Sequence, residues 1–175
     1  MTEPEVSLRI AMKYVQNGEA CKDIIVSIDG AHIKTLNTTH FDIIAFMREQ
    51  GYLKCDDNQN RWQGEYQKLG FATRIIICSK SGIGDVTITL NNGKNLYIES
   101  KKFKGGSGGE SPAMREAIGQ LMTGCSDDEN TIPIVSIPYN SKSFELSKKW
   151  SCNERIRNAG IRFMLVFLNG NIELI

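Results

Sequence analysis

No stretch of this 175-residue chain approaches the roughly 18–20 consecutive apolar residues that span a bilayer. The first residues, MTEPEVSLRIAMKY, carry acids near the start and lack the continuous apolar stretch of a secretory leader. Secretion and membrane insertion are therefore disfavoured, and a cytoplasmic protein is expected. Charge of one sign is not in excess: 21 Lys and Arg face 20 Asp and Glu, for a formal net charge of +1. No bulk positive field announces a nucleic-acid or membrane partner, so any such partner must be read from local patches. The five cysteines, Cys21, Cys55, Cys78, Cys125 and Cys152, form neither a CxxC pair nor a Cys/His cluster of zinc spacing, and read as reduced thiols. HExxH and GxxxxGK[ST] are missing, which leaves zinc and nucleotide enzymes unsupported. No repeat of solenoid period is present. The one low-complexity piece is GGSGG, from Gly105 to Gly109, which reads as a flexible bend or as a substrate-contacting loop.

What is present is ordinary for a globular chain, with 41% apolar, 23% charged and 8% aromatic residues, enough to bury a core without covalent staples. The length corresponds to one compact domain, with room for a small N-terminal elaboration. Pro4 to Gln16 has helical apolar spacing and stops at Asn17-Gly18. Ile24 to Ile28 is a β-branched run ending at the turn dipeptide Asp29-Gly30, with Ala31 to Leu36 as its expected hairpin partner. Thr39 reads as the N-cap of a helix that ends before Gly51. Helix, hairpin and helix over 1–60 would form a winged-helix-like subdomain, and the polar stretch CDDNQNRWQG, Cys55 to Gly64, would mark its boundary with a core over 61–175. In that core, Thr73 to Cys78, Asp85 to Leu90 and Asn95 to Lys101 read as an antiparallel meander. A helix with Ser111 as N-cap and Pro112 at its first position follows, then a strand over Thr131 to Ile137, a helix over Ser143 to Trp150, and a strand over Ile161 to Leu168 that turns at Asn169-Gly170 into a short final one. The expected class is α/β, a mixed central sheet flanked by helices.

The stretch that carries chemistry is GIGDVTITLNNGKNLYIESKK, Gly82 to Lys102. A three-residue loop Asn91-Asn92-Gly93, with Gly93 left-handed, pairs Val86 with Ile98 and Ile88 with Leu96, apolar with apolar. The same register puts Asp85 across from Glu99, with Lys101 next along on the same face. Two carboxylates at one hairpin end repel each other, and a hard divalent cation between them, Mg²⁺ first, explains the arrangement most simply. Such a site polarises a phosphodiester and activates water, while Lys101 orients the attacking water and stabilises developing charge.

Asp85 followed by Glu99-Ser100-Lys101 resembles the D…(E)xK signature of the PD-(D/E)XK, or restriction-endonuclease-like, nucleases. REAIGQLMTG, Arg115 to Gly124, is similar to that family's helix with a Gln on its polar side, and NERIRNAGIRFMLVFLNGNIELI to its closing strand pair, so the likeness covers roughly Arg61 to Ile175. The resemblance implies a restriction-endonuclease-like core. It implies Asp85 and Glu99 as metal ligands with the carbonyl of Ser100, Lys101 as the catalytic lysine, and Gln120 as a supporting residue. It also implies Mg²⁺, with Mn²⁺ as a substitute. The proline of the name is replaced by Gly84, and the tyrosine often found after the helix Gln is absent, Gly124 standing four residues after Gln120. Many members add an acid from the first core helix; Glu49 and Glu65 are both available for that role.

Other residues have plainer readings. Glu116 reads as part of a solvated helix face, His32 and His40 as surface or turn residues, and Trp62 and Trp150 as packing residues before base-stacking ones. Basic residues are uneven: 1–60 holds six Lys/Arg against nine acids, whereas 141–162 holds six against two. With Lys101, Lys102 and Lys104 that segment would line a phosphate-tracking groove, although a solubilising face explains any single residue as well. The expectation is a Mg²⁺-dependent endonuclease acting on DNA, with RNA open, in restriction, defence, junction or repair roles, and a homodimer where two strands are cut. The alternative is a non-catalytic nucleic-acid-binding or assembly module on the same fold.

Overall fold

The computed structural model describes residues 1–80, 84–102, 109–125 and 128–175. Most of the glycine-rich bend, with Lys104, lies outside them, as do Gly82 and Ile83. The order of elements is α1 (Glu3–Asn17), β1 (Ile24–Ser27), a 3₁₀ turn (Gly30–His32), β2 (Lys34–Thr35), β3 (Thr38–Thr39), α2 (Ile43–Glu49), β4 (Tyr52–Lys54), β5 (Gly64–Lys68), β6 (Ile75–Cys78), β7 (Val86–Thr89), β8 (Asn95–Ser100), α3 (Glu110–Gly124), β9 (Thr131–Pro138), α4 (Ser141–Ser151), α5 (Glu154–Asn158), β10 (Arg162–Val166) and β11 (Ile172–Leu174). The class is α/β, a large mixed sheet flanked by helices.

Nine strands form that sheet in the order β11-β10-β9-β8-β7-β1-β6-β5-β4, and β2 and β3 make a separate small ribbon. Strand β1 runs parallel to β6 and antiparallel to β7, while β8, β9 and β10 are mutually parallel neighbours. Period-two alternation sends Ile98, Ile134 and Met164 to one face, where they join Val6, Leu8 and Ile10 of α1 in one buried cluster. The intervening Val135, Phe163 and Leu165 face the other way, against Met114, Ala117 and Leu121 of α3. Each fully buried side chain of this size contributes about 1.5–3 kcal/mol of transfer free energy, so α1 is held by packing more than by its own propensity. Its ends are capped locally: Thr2 Oγ1 accepts the Glu5 N–H at 3.3 Å, and Gly18 closes the helix at φ +66°.

Several expectations are corrected. Residues 31–36 do not return as a hairpin on β1. Ile24 and Val26 are wholly buried, and β1 takes its two neighbours from β6 and β7, far along the chain, whereas Lys34 and Thr35 stay exposed. The winged-helix arrangement therefore does not form. The expected meander is interrupted for the same reason, since β1 lies between β6 and β7. The polar stretch near residue 60 connects the antiparallel pair β4 and β5, and both strands belong to the main sheet. Residues before and after position 60 thus share one sheet and one buried cluster, and the sheet does not divide there. Helix α2 is capped by Asp42, whose Oδ1 accepts the Ala45 N–H at 3.0 Å, and not by Thr39. Helix α3 starts at Glu110 after Gly109, with no side-chain cap, so Ser111 is already helical. All five cysteines are free. Among the described residues no helix is long and apolar enough to cross a membrane.

Candidate active site

Gly93 at φ +82° closes the β7–β8 turn, and the ladder pairs Val86 with Ile98 and Ile88 with Leu96 in the expected register. Asp85 lies just before β7. Its N–H donates to the Ile98 carbonyl at 2.8 Å, its carbonyl accepts from the Ser27 N–H at 2.8 Å, and its Oδ2 accepts from the Ser100 N–H at 2.8 Å. Backbone and carboxylate thus grip β8 on either side of Glu99. Gly84 precedes Asp85 with φ +74°, which a pyrrolidine ring excludes, and a Cβ there would stand 2.9 Å from the Ile98 carbonyl oxygen.

Alternation along β8 separates the next three residues. Ser100 turns toward α1, where its hydroxyl meets Ser7 Oγ at 2.9 Å and Ser136 Oγ at 3.0 Å, all three side chains being buried. Glu99 and Lys101, each 7% exposed, turn toward α3. The Lys101 ammonium donates to Glu99 Oε1 at 3.0 Å and to Glu116 Oε1 at 3.1 Å. Glu116 is therefore a member of the site that its helix-surface position conceals in the sequence.

Burial dominates the electrostatics. It pushes the Asp85 carboxyl up, the Glu99 charge adds to this, and the Ser100 N–H offsets part of it, leaving a pKa of about 8. Burial also raises Glu99, against the pull of the Lys101 ammonium. For Lys101 burial acts downward, but the Glu99 and Glu116 carboxylates outweigh it and hold the ammonium above its ordinary value. The result is two mutually repelling acids beside one firmly charged lysine.

These groups open onto a cavity of about 530 Å³. A second hollow of about 460 Å³ shares Ser27, Ile28, Asp29, Asp85, Glu99 and Gln120 with the first, so the acids sit where the two meet. Gln120, on the exposed side of α3, lines both. Glu49 and Glu65 line neither; Glu65 pairs with Arg74 on the far side of β6. The acid on the first helix that reaches the cavity is Glu3, at the start of α1, accompanied by His32. No local pattern marks Glu3, because its approach depends on how α1 crosses the sheet. His40, by contrast, bonds Thr35 Oγ1 at 3.0 Å in an exposed position. Trp62 packs against the core on the α1 side, and Trp150 lies edge-on to Phe163 at 6.3 Å. Of the basic segment, Lys142 pairs with Glu110 at 2.9 Å and Lys148 sits 4.1 Å over the Phe144 ring, while Lys102 lines the larger cavity.

The donor set suits a hard cation. Asp85 keeps one oxygen uncommitted and Glu99 supplies a second carboxylate, both destabilised by mutual repulsion that a divalent ion would relieve. Among the described residues no group of three or more His, Cys, Asp or Glu is placed to hold a metal. A two-carboxylate site completed by water, backbone oxygen or substrate phosphate is the mode of Mg²⁺ more than of a dedicated protein cage. No protein family, curated protein or solved structure matches this chain.

Proposed function

We propose that the protein is a Mg²⁺-dependent nuclease of the restriction-endonuclease-like class, hydrolysing phosphodiester bonds in DNA. The observation that carries this reading is the convergence of Asp85, Glu99 and Lys101 on one cavity wall, with Lys101 held by two carboxylates. Asp85, Glu99 and a backbone oxygen at Ser100 would hold Mg²⁺, or Mn²⁺ in its place, and the bound ion would supply Lewis acidity and charge neutralisation at the phosphate. Lys101 stays charged, donates to the attacking water or to a non-bridging phosphoryl oxygen, and lowers the cost of charge developing there. Glu99 and Glu116 fix its ammonium in position, which removes the need to order a long side chain during the reaction. Gln120, where the two hollows meet, offers an amide to the strand as it passes the acids. Cutting both strands of a duplex calls for two such sites, which a homodimer would supply.

The test is cleavage of linear duplex, supercoiled plasmid, branched DNA and single-stranded RNA, in Mg²⁺ and in EDTA, with Lys101→Ala alongside. Metal-dependent cleavage that vanishes in the variant supports the reading, and the preferred substrate names its nucleic acid. Binding without cleavage of any substrate would overturn it in favour of a non-catalytic nucleic-acid-binding module.

A further inference from the structure

The cavity holds a second pair of titratable groups that the hydrolytic set leaves unused. His32 ends the 3₁₀ turn after β1, and its Nδ1 lies 3.4 Å from Oε1 of Glu3 on the first turn of α1. Both residues line the same cavity as Asp85, Glu99 and Lys101. The Glu3 side chain is 15% exposed and that of His32 34%, so the carboxylate is packed while the ring keeps an open edge. Among the described residues Nε2 of His32 has no hydrogen-bond partner in the protein. His40 shows what an ordinary turn histidine does in this fold, bonding a neighbouring threonine away from the cavity.

Placement decides which proton His32 would handle. Glu99, Lys101 and Glu116 come from β8 and α3, on one side of the sheet, whereas Glu3 and His32 belong to α1 and the turn after β1, on the other. Displacement at phosphorus brings the nucleophile and the leaving oxygen roughly into line, on opposite sides of the phosphorus. With Lys101 directing water from the α3 side, the leaving oxygen emerges toward α1. An alkoxide expelled there needs a proton, and an imidazolium is suited to give one. A carboxylate facing Nδ1 keeps a proton on that nitrogen and turns the other edge of the ring outward, so the transferable proton is the one on Nε2.

We infer that His32 is the general acid of this site, protonating the leaving oxygen of the phosphodiester, with Glu3 as its positioning residue; the inference rests on the nuclease reading. In the step, the water oxygen bonds to phosphorus and releases a proton to solvent. The phosphorus–leaving oxygen bond breaks, its electron pair stays on that oxygen, and the oxygen takes the Nε2 proton. The ring is left neutral with its proton on Nδ1, facing Glu3, and regains the second proton from solvent.

The test uses a leaving group that needs no proton. Wild type, His32→Gln and Glu3→Gln are compared on the duplex preferred in the substrate panel and on the same duplex with sulfur at the bridging leaving position, both in Mn²⁺. Affinity for the uncleaved duplex in Ca²⁺ is measured in parallel. A melting temperature within about 2 °C of wild type qualifies each variant, and His32→Asn stands in for His32→Gln if that variant does not meet it. His32→Gln is expected to cleave the oxygen duplex about a hundredfold more slowly, the sulfur duplex within about threefold of wild type, and to bind as wild type does. Glu3→Gln should show the same pattern with a smaller loss. Equal losses on the two substrates, or none on the oxygen duplex, would overturn the role of His32 and leave the nuclease reading standing. Wild type that cleaves neither duplex would overturn both.

Discussion

The carboxylate of Asp85 accepts the backbone N–H of Ser100 at 2.8 Å, a bond that an amide can equally accept. Burial and the neighbouring Glu99 make the ionised form costly, so removing the charge while keeping the bond relieves the fold. Asp85→Asn is expected to melt above wild type in EDTA at about pH 8.5 and to lose cleavage by about a hundredfold or more. Thermal melts and cleavage rates on the same preparation check this; a lower melting temperature would mean the carboxylate is not strained in the fold.

The same carboxyl sets a pH dependence. The folded Asp85 pKa of about 8 stands above its ordinary 3.8, so between these values the native state holds a proton that the unfolded chain has released. More protons bound in the native state means stability that is full below about pH 4 for this group and declines as pH rises toward 8, with the raised Glu99 adding in the same direction. Melting temperatures in EDTA are expected to fall from about pH 5.5 to about pH 8.5, and millimolar Mg²⁺ is expected to flatten the decline. A profile that rises with pH in EDTA would contradict the assignment.

Glu116 reaches Lys101 from a side chain that is 59% exposed, whereas Lys101 itself is 8% exposed. A pair with one partner in solvent contributes about 1 kcal/mol or less, so Glu116→Ala should leave the melting temperature nearly unchanged. Its effect should fall on chemistry, with kcat about tenfold lower and substrate affinity retained, because the ammonium then keeps only Glu99 to hold it. Steady-state kinetics separate the two quantities.

Behind the site, the hydroxyls of Ser7, Ser100 and Ser136 form a buried chain joining α1, β8 and β9. Ser7→Ala or Ser136→Ala removes one link and is expected to cost about 1–2 kcal/mol in denaturant unfolding. Because the links share Ser100, the double variant should lose measurably less or more than the sum of the singles, a departure that a double-mutant cycle reads directly.

Gly84 sits at φ +74° with the Ile98 backbone where its Cβ would be. Gly84→Ala is expected to destabilise by about 2 kcal/mol and to reduce cleavage, since the clash pushes Asp85 away from β8. Unfolding and activity measured together test the link; full activity at wild-type stability would show that the two strands can separate without harm.

The β7–β8 hairpin was legible because everything that decides it lies within some twenty residues. Asn91-Asn92-Gly93 sets the turn, apolar alternation sets the register, and the two together bring Asp85, Glu99 and Lys101 to one end. The helical extent of α1 and the apolar stripe of α3 followed from local spacing in the same way. The β-branched run Ile24 to Ile28 announced a strand but carried no record of its neighbours. Its partners lie some 50 to 60 positions away, and the adjacent residues 31–36 do not pair with it. That long-range pairing places β1 inside the sheet between β7 and β6, and it carries the following turn, with His32, to the cavity wall beside Glu3. Glu116 was likewise invisible as a site residue, because an exposed helix position reveals nothing of the lysine that a separate strand brings to it. Local turn chemistry and periodicity were determined by the sequence alone. Which charged groups from distant segments share a cavity was decided by the tertiary structure, because burial of an interior strand such as β1 selects its neighbours by packing that no short window contains.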